Sequence, residues 1–196
     1  MKSPWDIRYA NQEALYGKAP NAFFSHILPL YRCGSILLPC DGEGRNAIHA
    51  AKKGWDVHAF DGSQIGVATA QRWAAEANVA IQCDVSDAFD FAPKEQFDLV
   101  GLFYAHMPSD RRRAFHHLAI QWLKPGGTLI LEGFHTDQLH YQSGGPRNES
   151  MLFTPEMLAE DFNELLATQN EVAQVTLDEG PLHQGLASIV RYIGTK

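Results

Sequence analysis

Cysteine is scarce: the 196 residues hold only Cys33, Cys40 and Cys83. An odd number without a CxxC pair excludes a disulfide scaffold and a thiolate metal cluster. It reads as three small, buried, reduced thiols of a cytoplasmic protein. Cations are also short, 16 Lys and Arg against 23 Asp and Glu, for a net charge of -7. Nucleic-acid binding draws on cations that displace phosphate counterions, so that partner class is excluded. No apolar run approaches the ~18 residues of a membrane span. The opening MKSPWDIRYANQ lacks the apolar core and cleavage site of a secretory leader, so no membrane partner is expected. What is present is ordinary for a globular chain, 45% hydrophobic and 11% aromatic residues. A chain this long buries roughly 70% of its unfolded surface and needs no staples. A site for a small molecule is the remaining expectation.

The chain alternates short apolar runs with helical patterns. Ser35–Cys40 (SILLPC), Asp56–Phe60 (DVHAF), Val79–Cys83, Phe97–Phe103 (FDLVGLF) and Thr128–Phe134 (TLILEGF) read as buried strands. Between them, helices are expected over Arg45–Lys53, over Gln64–Ala77 with Val67, Ala70, Ala74 and Ala77 inward, and from Ser109 to Leu123 with Ala114, Leu118 and Trp122 inward. Thr154-Pro155-Glu156 starts another helix, to about Ala167: a cap, proline at the first position, and an acid facing the dipole. Glu171–Asp178 and Leu186–Ile193 lie too close in sequence for a crossover helix and so form an antiparallel hairpin. Two helical stretches, Trp5–Leu15 and Asn21–Tyr31, come first. Strands alternating with helices imply an α/β fold, a parallel sheet covered on both faces. Trp55, Trp73 and Trp122 are assigned to the core.

The first strand runs into Cys40-Asp41-Gly42-Glu43-Gly44-Arg45-Asn46. Glycines there let backbone approach a ligand, and the following helix offers free N–H groups. The second strand ends in Asp61, 17 residues after Gly44, where an acid can accept both ribose hydroxyls of an adenosine. Asp61 can equally cap the next helix, unless Ser63 does so. Asp84 ends the third strand, where an adenine contact falls, and Tyr104 and His106 follow the fourth. Four consecutive strands thus bring polar or aromatic groups to the edge where α/β sheets bind ligands. Two cofactors fit. Gly42-Glu43-Gly44-Arg45-Asn46-Ala47 matches the G-x-G-x-x-A dinucleotide pattern of an NAD(P)-dependent oxidoreductase, but the chain has little room for a second sheet half.

The second cofactor comes with a family likeness. ILLPCDGEGRNAIHAAKKGWDVHAFDGS resembles the first two motifs of the class I S-adenosylmethionine-dependent methyltransferases, and FDLV followed by LKPGGTLILE resembles their fourth and fifth strands. Trp5-Asp6-Ile7-Arg8-Tyr9 and Tyr16-Gly17 with Pro20-Asn21 are similar to the short helical lid of the small tellurite-resistance and thiopurine-methyltransferase-like branch. The resemblance spans essentially the whole chain. It implies a three-layer Rossmann-like methyltransferase fold, with a seven-stranded, mostly parallel sheet closed by a C-terminal antiparallel hairpin. It also implies one domain, with residues 1–32 as lid and 33–196 as core. S-adenosyl-L-methionine would lie against Cys40, Asp41, Gly42, Gly44, Arg45 and Asn46 on the turn. Asp61, Gly62 and Ser63 would meet it after the second strand, Asp84 and Val85 after the third, and Phe103 on the fourth. Trp5, Arg8 and Tyr9 would close over it. The first motif departs from the family, with Leu38 and Cys40 where an opening acid is usual. That departure keeps a non-catalytic cofactor-binding module as an alternative.

For methyl transfer to a small-molecule acceptor, the protein must hold nucleophile, methyl carbon and sulfur in line. An alcohol or amine acceptor also needs a base, whereas a thiol, selenide or tellurium oxyanion does not. Tyr104 and His106 are the residues expected to orient or deprotonate it; the other reading of His106 is a ring bonded to a nearby carbonyl. Glu132–Ser150, long, polar and glycine-rich, is expected to be a substrate flap carrying His135, His140, Tyr141 and Arg147. No metal site is expected there. Arg111, Arg112 and Arg113 read as a solvated helix face.

Overall fold

The computed structural model describes residues 4–196, so residues 1–3 of the expected lid lie outside it. Thirteen principal elements follow one another: α1 (Pro4–Asn11), α2 (Ala22–Ile27), β1 (Ser35–Pro39), α3 (Arg45–Lys52), β2 (Asp56–Asp61), α4 (Gln64–Glu76), β3 (Gln82–Val85), β4 (Phe97–Phe103), α5 (Ser109–Gln121), β5 (Leu123–Phe134), α6 (Pro155–Asp161), β6 (Leu166–Asp178) and β7 (Gln184–Thr195). The seven strands take the order β3-β2-β1-β4-β5-β7-β6. Pairing is parallel except that β7 runs antiparallel to both β5 and β6. This is the seven-stranded sheet with a C-terminal hairpin that the family likeness implies.

Two compact units make up the described chain, residues 4–92 with Glu179–Pro181 and Pro93–Asp178 with Leu182–Lys196. In the first, β1 buries Ile36, Leu37 and Leu38 almost completely, the pattern of a strand covered on both faces. The α4 helix turns Val67, Ala70, Trp73 and Ala74 inward. Its start is fixed by Ser63, whose hydroxyl accepts the Gly66 N–H at 3.1 Å. β3 begins three residues later than expected. Val79 and Ile81 pack instead beside Ile48 and Trp73, while register with β2 (His58 opposite Gln82, Phe60 opposite Asp84) sets where the strand starts.

In the second unit β4 has the expected bounds. The inward face of α5 differs: Phe115, His116, Ala119 and Ile120 are buried, Ala114 is exposed and Leu118 only half-buried. Phe115 carries more apolar surface than Ala114 and decides the rotation of the helix. His116 goes in with it because Asp161 takes its Nδ1 at 2.8 Å, and Arg112 binds the same carboxylate through Nε at 2.7 Å. Of the three arginines, Arg112 is therefore a half-buried ion-pair partner rather than a solvated one, while Arg111 and Arg113 are exposed. α6 ends six residues early, where Phe162 leaves the helical backbone (φ -108°, ψ 29°), and β6 starts at Leu166. The thiols divide as well: Cys83 is buried, Cys40 half-buried and Cys33 exposed, so the expectation of three buried cysteines holds for one. Trp55, Trp73 and Trp122 are all in the core.

Candidate functional site

The turn after β1 reverses direction through left-handed residues at alternate positions, Cys40 (φ 57°), Gly42 (φ 57°) and Gly44 (φ 80°). Gly42 is required twice over, since a Cβ there would strike the Tyr9 hydroxyl. Gly44 caps α3 and brings it against α4, where an added Cβ would sit 2.5 Å from that of Ala70. The Asp61 carboxylate spans the turn and the next helix. Its Oδ2 accepts the Gly42 N–H at 3.0 Å and its Oδ1 the Ser63 N–H at 2.8 Å. Burial raises its pKa against these two donors. A carboxylate offers about four acceptor positions, so two remain for hydroxyl groups. Ser63, not Asp61, caps α4, and its hydroxyl donates to Asp6 of α1 at 2.7 Å. Beyond Asp61 the ledge is open: Gly62 is exposed, and Val85, at the end of β3, keeps 53% of its surface. Asp84 is bound by His58 at 2.7 Å.

Three side chains of the turn reach toward the N-terminal segment rather than a ligand. Glu43 accepts the N–H groups of Ala14 (2.9 Å) and Leu15 (3.1 Å). Arg45 donates to the carbonyls of Tyr16 (3.0 Å) and Ala19 (3.3 Å) and to Glu179 Oε2 (2.8 Å), with both charged side chains buried. Asn46 accepts the Asn21 N–H at 2.9 Å and donates to Asp41 at 2.9 Å. Asp41 also takes the Ala47 N–H at 3.0 Å; burial pushes its carboxyl up to about 7 against those donors. Arg45 and Asn46, expected beside the cofactor, thus fasten the segment before α2. Tyr9 lies over the glycine turn, and burial raises its hydroxyl pKa far above the ordinary value. Trp5 stacks on Tyr9 at 5.9 Å and carries the Arg8 guanidinium 4.8 Å above its ring. Asp6, Glu43, His58 and Glu179 did not stand out in the sequence. Asp6 has a signal, an acid in a helix's first turn; Glu179 has none.

The second unit holds the other expected residues. Tyr104, at φ 54°, leaves β4 with its hydroxyl donating to Glu132 Oε1 at 3.2 Å, while Arg191 Nε binds Glu132 Oε2 at 2.8 Å. Its ring is flanked by Phe134 at 4.7 Å and His183 at 4.5 Å. His106 Nε2 accepts the Phe134 N–H at 3.1 Å, so the proton resides on Nδ1 and is donated to the Met151 carbonyl at 2.7 Å. Desolvation pushes its pKa down to about 4. The carbonyl-bonded reading of His106 is the one observed. Phe103 is buried in β4. The loop expected as a flap is pinned at its middle. Gln138 accepts the Ser188 N–H at 2.9 Å and donates to Ser143 at 2.9 Å, and Ser143 in turn donates to the Leu186 carbonyl at 2.7 Å.

The chain as a whole has likenesses among known proteins. Residues 36–127 match the family model described as a methyltransferase domain. The match takes in a little under half of the chain, which over that stretch is similar to a methyltransferase domain. No curated protein matches the sequence. Among solved structures, the protein from work on conversion of a disulfide bond into a thioacetal group during echinomycin biosynthesis superposes with a TM-score of 0.79 at 19% identity, over 98% of this chain and 90% of that one. TehB from Haemophilus influenzae gives 0.70 at 16% over 98% and 67%. The N-methyltransferase NodS from Bradyrhizobium japonicum, in complex with S-adenosyl-L-homocysteine, gives 0.70 at 15% over 99% of both chains. At these identities the methyltransferase likeness of the structures is one of fold.

Proposed function

We propose that this protein is a methyltransferase that moves the methyl group of S-adenosyl-L-methionine to a small-molecule acceptor by in-line displacement, as one cytoplasmic domain with residues 1–32 as its lid. The observation that carries the reading is the Asp61 carboxylate, tied to the glycine turn and to Ser63 with two acceptor positions free for ribose hydroxyls. Asp84 and the exposed Val85 suit an adenine, and the left-handed turn lets backbone approach the ligand closely. With Arg45 held by Glu179, Arg8 is the cation of the lid for the amino-acid carboxylate, beside Trp5 and Tyr9. The acidic chain favours a small acceptor over a nucleic acid. No helix among the described residues is long and apolar enough to cross a membrane.

S-adenosyl-L-methionine, when bound, supplies a methyl group already activated on a sulfonium. What the protein adds is position. Tyr104 orients the acceptor through its hydroxyl, which donates to Glu132, itself bound by Arg191. His106 is a positioning residue: both nitrogens are committed, so it joins Phe134 to Met151 and removes no proton. This favours an acceptor that is nucleophilic or ionised by itself, such as a thiolate.

The test is calorimetric titration with S-adenosyl-L-homocysteine, with NAD as control, on the wild type and on Asp61→Asn and Asp61→Ala. Saturable binding of the homocysteine compound alone, weakened at least about tenfold in Asp61→Ala, is expected. Binding of NAD in its place, or of neither ligand, would overturn the reading.

A further inference from the structure

We infer that His58 is a positioning residue which, through Asp84, makes the nucleoside site select adenine over 6-oxopurines. The inference rests on the reading of Asp84 as the adenine contact. Parallel pairing of β2 with β3 sets Phe60 opposite Asp84 and His58 opposite Gln82, and residues two apart share a sheet face. His58 and Asp84 therefore meet across neighbouring strands. The ring Nε2 donates to Asp84 Oδ2 at 2.7 Å, a length typical of charge-assisted bonds, and the Gln82 amide approaches the same oxygen at 3.4 Å. Both donors converge on Oδ2, which leaves Oδ1 as the oxygen the strand end presents; the Asp84 side chain remains 49% exposed.

Several features distinguish this pair from an incidental surface contact. The His58 side chain is only 14% exposed. Phe91 stands edge-on to it, 5.1 Å between centroids at 83°, and stacks on Phe60 at 4.2 Å. The chain after β3 folds back to bring Phe91 there: the Asp87 carbonyl accepts the N–H groups of Asp90 and Phe91, and its carboxylate accepts that of Phe89. The imidazole is held in place before any ligand arrives, and it fixes the rotation of a carboxylate that would otherwise turn freely in water.

The consequence is chemical. A carboxylate oxygen accepts from the exocyclic amine of adenine. Opposite the carbonyl at C6 of hypoxanthine it faces another acceptor, and the pair repels. A site built around one hydrogen-bonding pattern discriminates by leaving the wrong pattern unpaired. An Asp84 side chain free to rotate would swing away and accept either base.

The experiment measures dissociation constants of S-adenosyl-L-homocysteine and its 6-oxo analogue S-inosyl-L-homocysteine for the wild type and for His58→Phe, His58→Asn, His58→Gln and Asp84→Asn. Urea midpoints serve as the folding control. The wild type is expected to prefer the adenosyl compound by about thirtyfold or more. His58→Phe and His58→Asn, which lose the donor or its reach, should cut that preference to about threefold, chiefly by weakening the adenosyl compound. His58→Gln, whose amide can donate to Oδ2, should recover most of it. Equal weakening of both ligands in His58→Phe and His58→Asn, or an unchanged ratio, overturns the inference. Asp84→Asn separates the two levels. If it abolishes the preference while the His58 variants keep it, Asp84 remains the adenine contact and only the role of His58 falls. If it leaves the ratio intact, adenine lies elsewhere and the placement of Asp84 falls too. Failure of the wild type to bind either compound contradicts the proposed cofactor itself.

Discussion

The glycine turn of the first unit and the aromatic cluster after β4 of the second solve the same problem by different means. Each must hold a residue in a left-handed conformation at the end of a parallel strand, Cys40 in one case and Tyr104 in the other. The turn is held by charge and hydrogen bonds: Asp41, Glu43, Arg45, Asn46 and Asp61 all take part in buried or half-buried polar contacts. The cluster is held by rings, with Phe134 and His183 flanking Tyr104, and with His106 between Phe134 and Phe153. A polar frame depends on every partner being present, because a lone buried charge is costly. A ring cluster loses stability in proportion to the surface removed.

The largest expected contrast comes from breaking the polar frame. Glu179→Leu leaves the Arg45 guanidinium buried without its anion, and should lower the unfolding free energy by about 3–5 kcal/mol in urea titration. Arg45→Leu with Glu179→Leu, an apolar pair in the same space, should recover much of that loss.

Next are two opposite pH dependences. His106 has its folded pKa pushed down to about 4 from 6.5. The unfolded chain then binds the proton first, and its contribution to stability, complete above pH 6.5, is lost as pH falls toward 4. Asp41 has its folded pKa pushed up to about 7 from 3.8. Here the folded state binds the proton first, and the contribution present below pH 3.8 is lost as pH rises toward 7. Each amounts to about 1.4 kcal/mol per pH unit for the proton concerned. Stability of His106→Gln measured from pH 4 to 7 should therefore fall more steeply with rising pH than the wild type, and Asp41→Asn should rise more steeply. Parallel curves for all three proteins would contradict both assignments.

The smallest contrast is the sharpest in sign. Cys40→Gly should raise stability by about 0.5–1 kcal/mol, since glycine takes a left-handed backbone without strain. Tyr104→Gly relieves the same backbone but deletes the ring between Phe134 and His183, and should lower stability by about 2–4 kcal/mol. Chemical denaturation of the two variants side by side decides it.

What could be read from the chain follows the same division. FDLVGLF is apolar apart from Asp98, and its strand is legible to the residue. Gly42, Gly44, Asp61 and Ser63 announced the turn, because each answers a local backbone requirement. The first part of the polar strand β6 is not legible: Leu166 to Asn170 carry little apolar pattern, since an edge strand is held by the ladder to β7 rather than by burial. The inward face of α5 is not legible in the sequence, because His116 is polar and is buried through its partners Asp161 and Phe162. Arg45 is expected beside the cofactor, yet the group it meets is the carboxylate of Glu179, which no local pattern singles out.

Arg45 and Glu179 stand 134 positions apart in the chain. During synthesis at 5–20 residues per second, on the order of ten seconds separate the two. Through that interval the glycine turn has its arginine but not the anion that neutralises it, and the compact unit that includes Glu179–Pro181 lacks those three residues. The turn proposed to face the cofactor is therefore finished late, by the β6–β7 connection, and a nascent chain halted before residue 179 should neither settle that unit nor bind S-adenosyl-L-homocysteine.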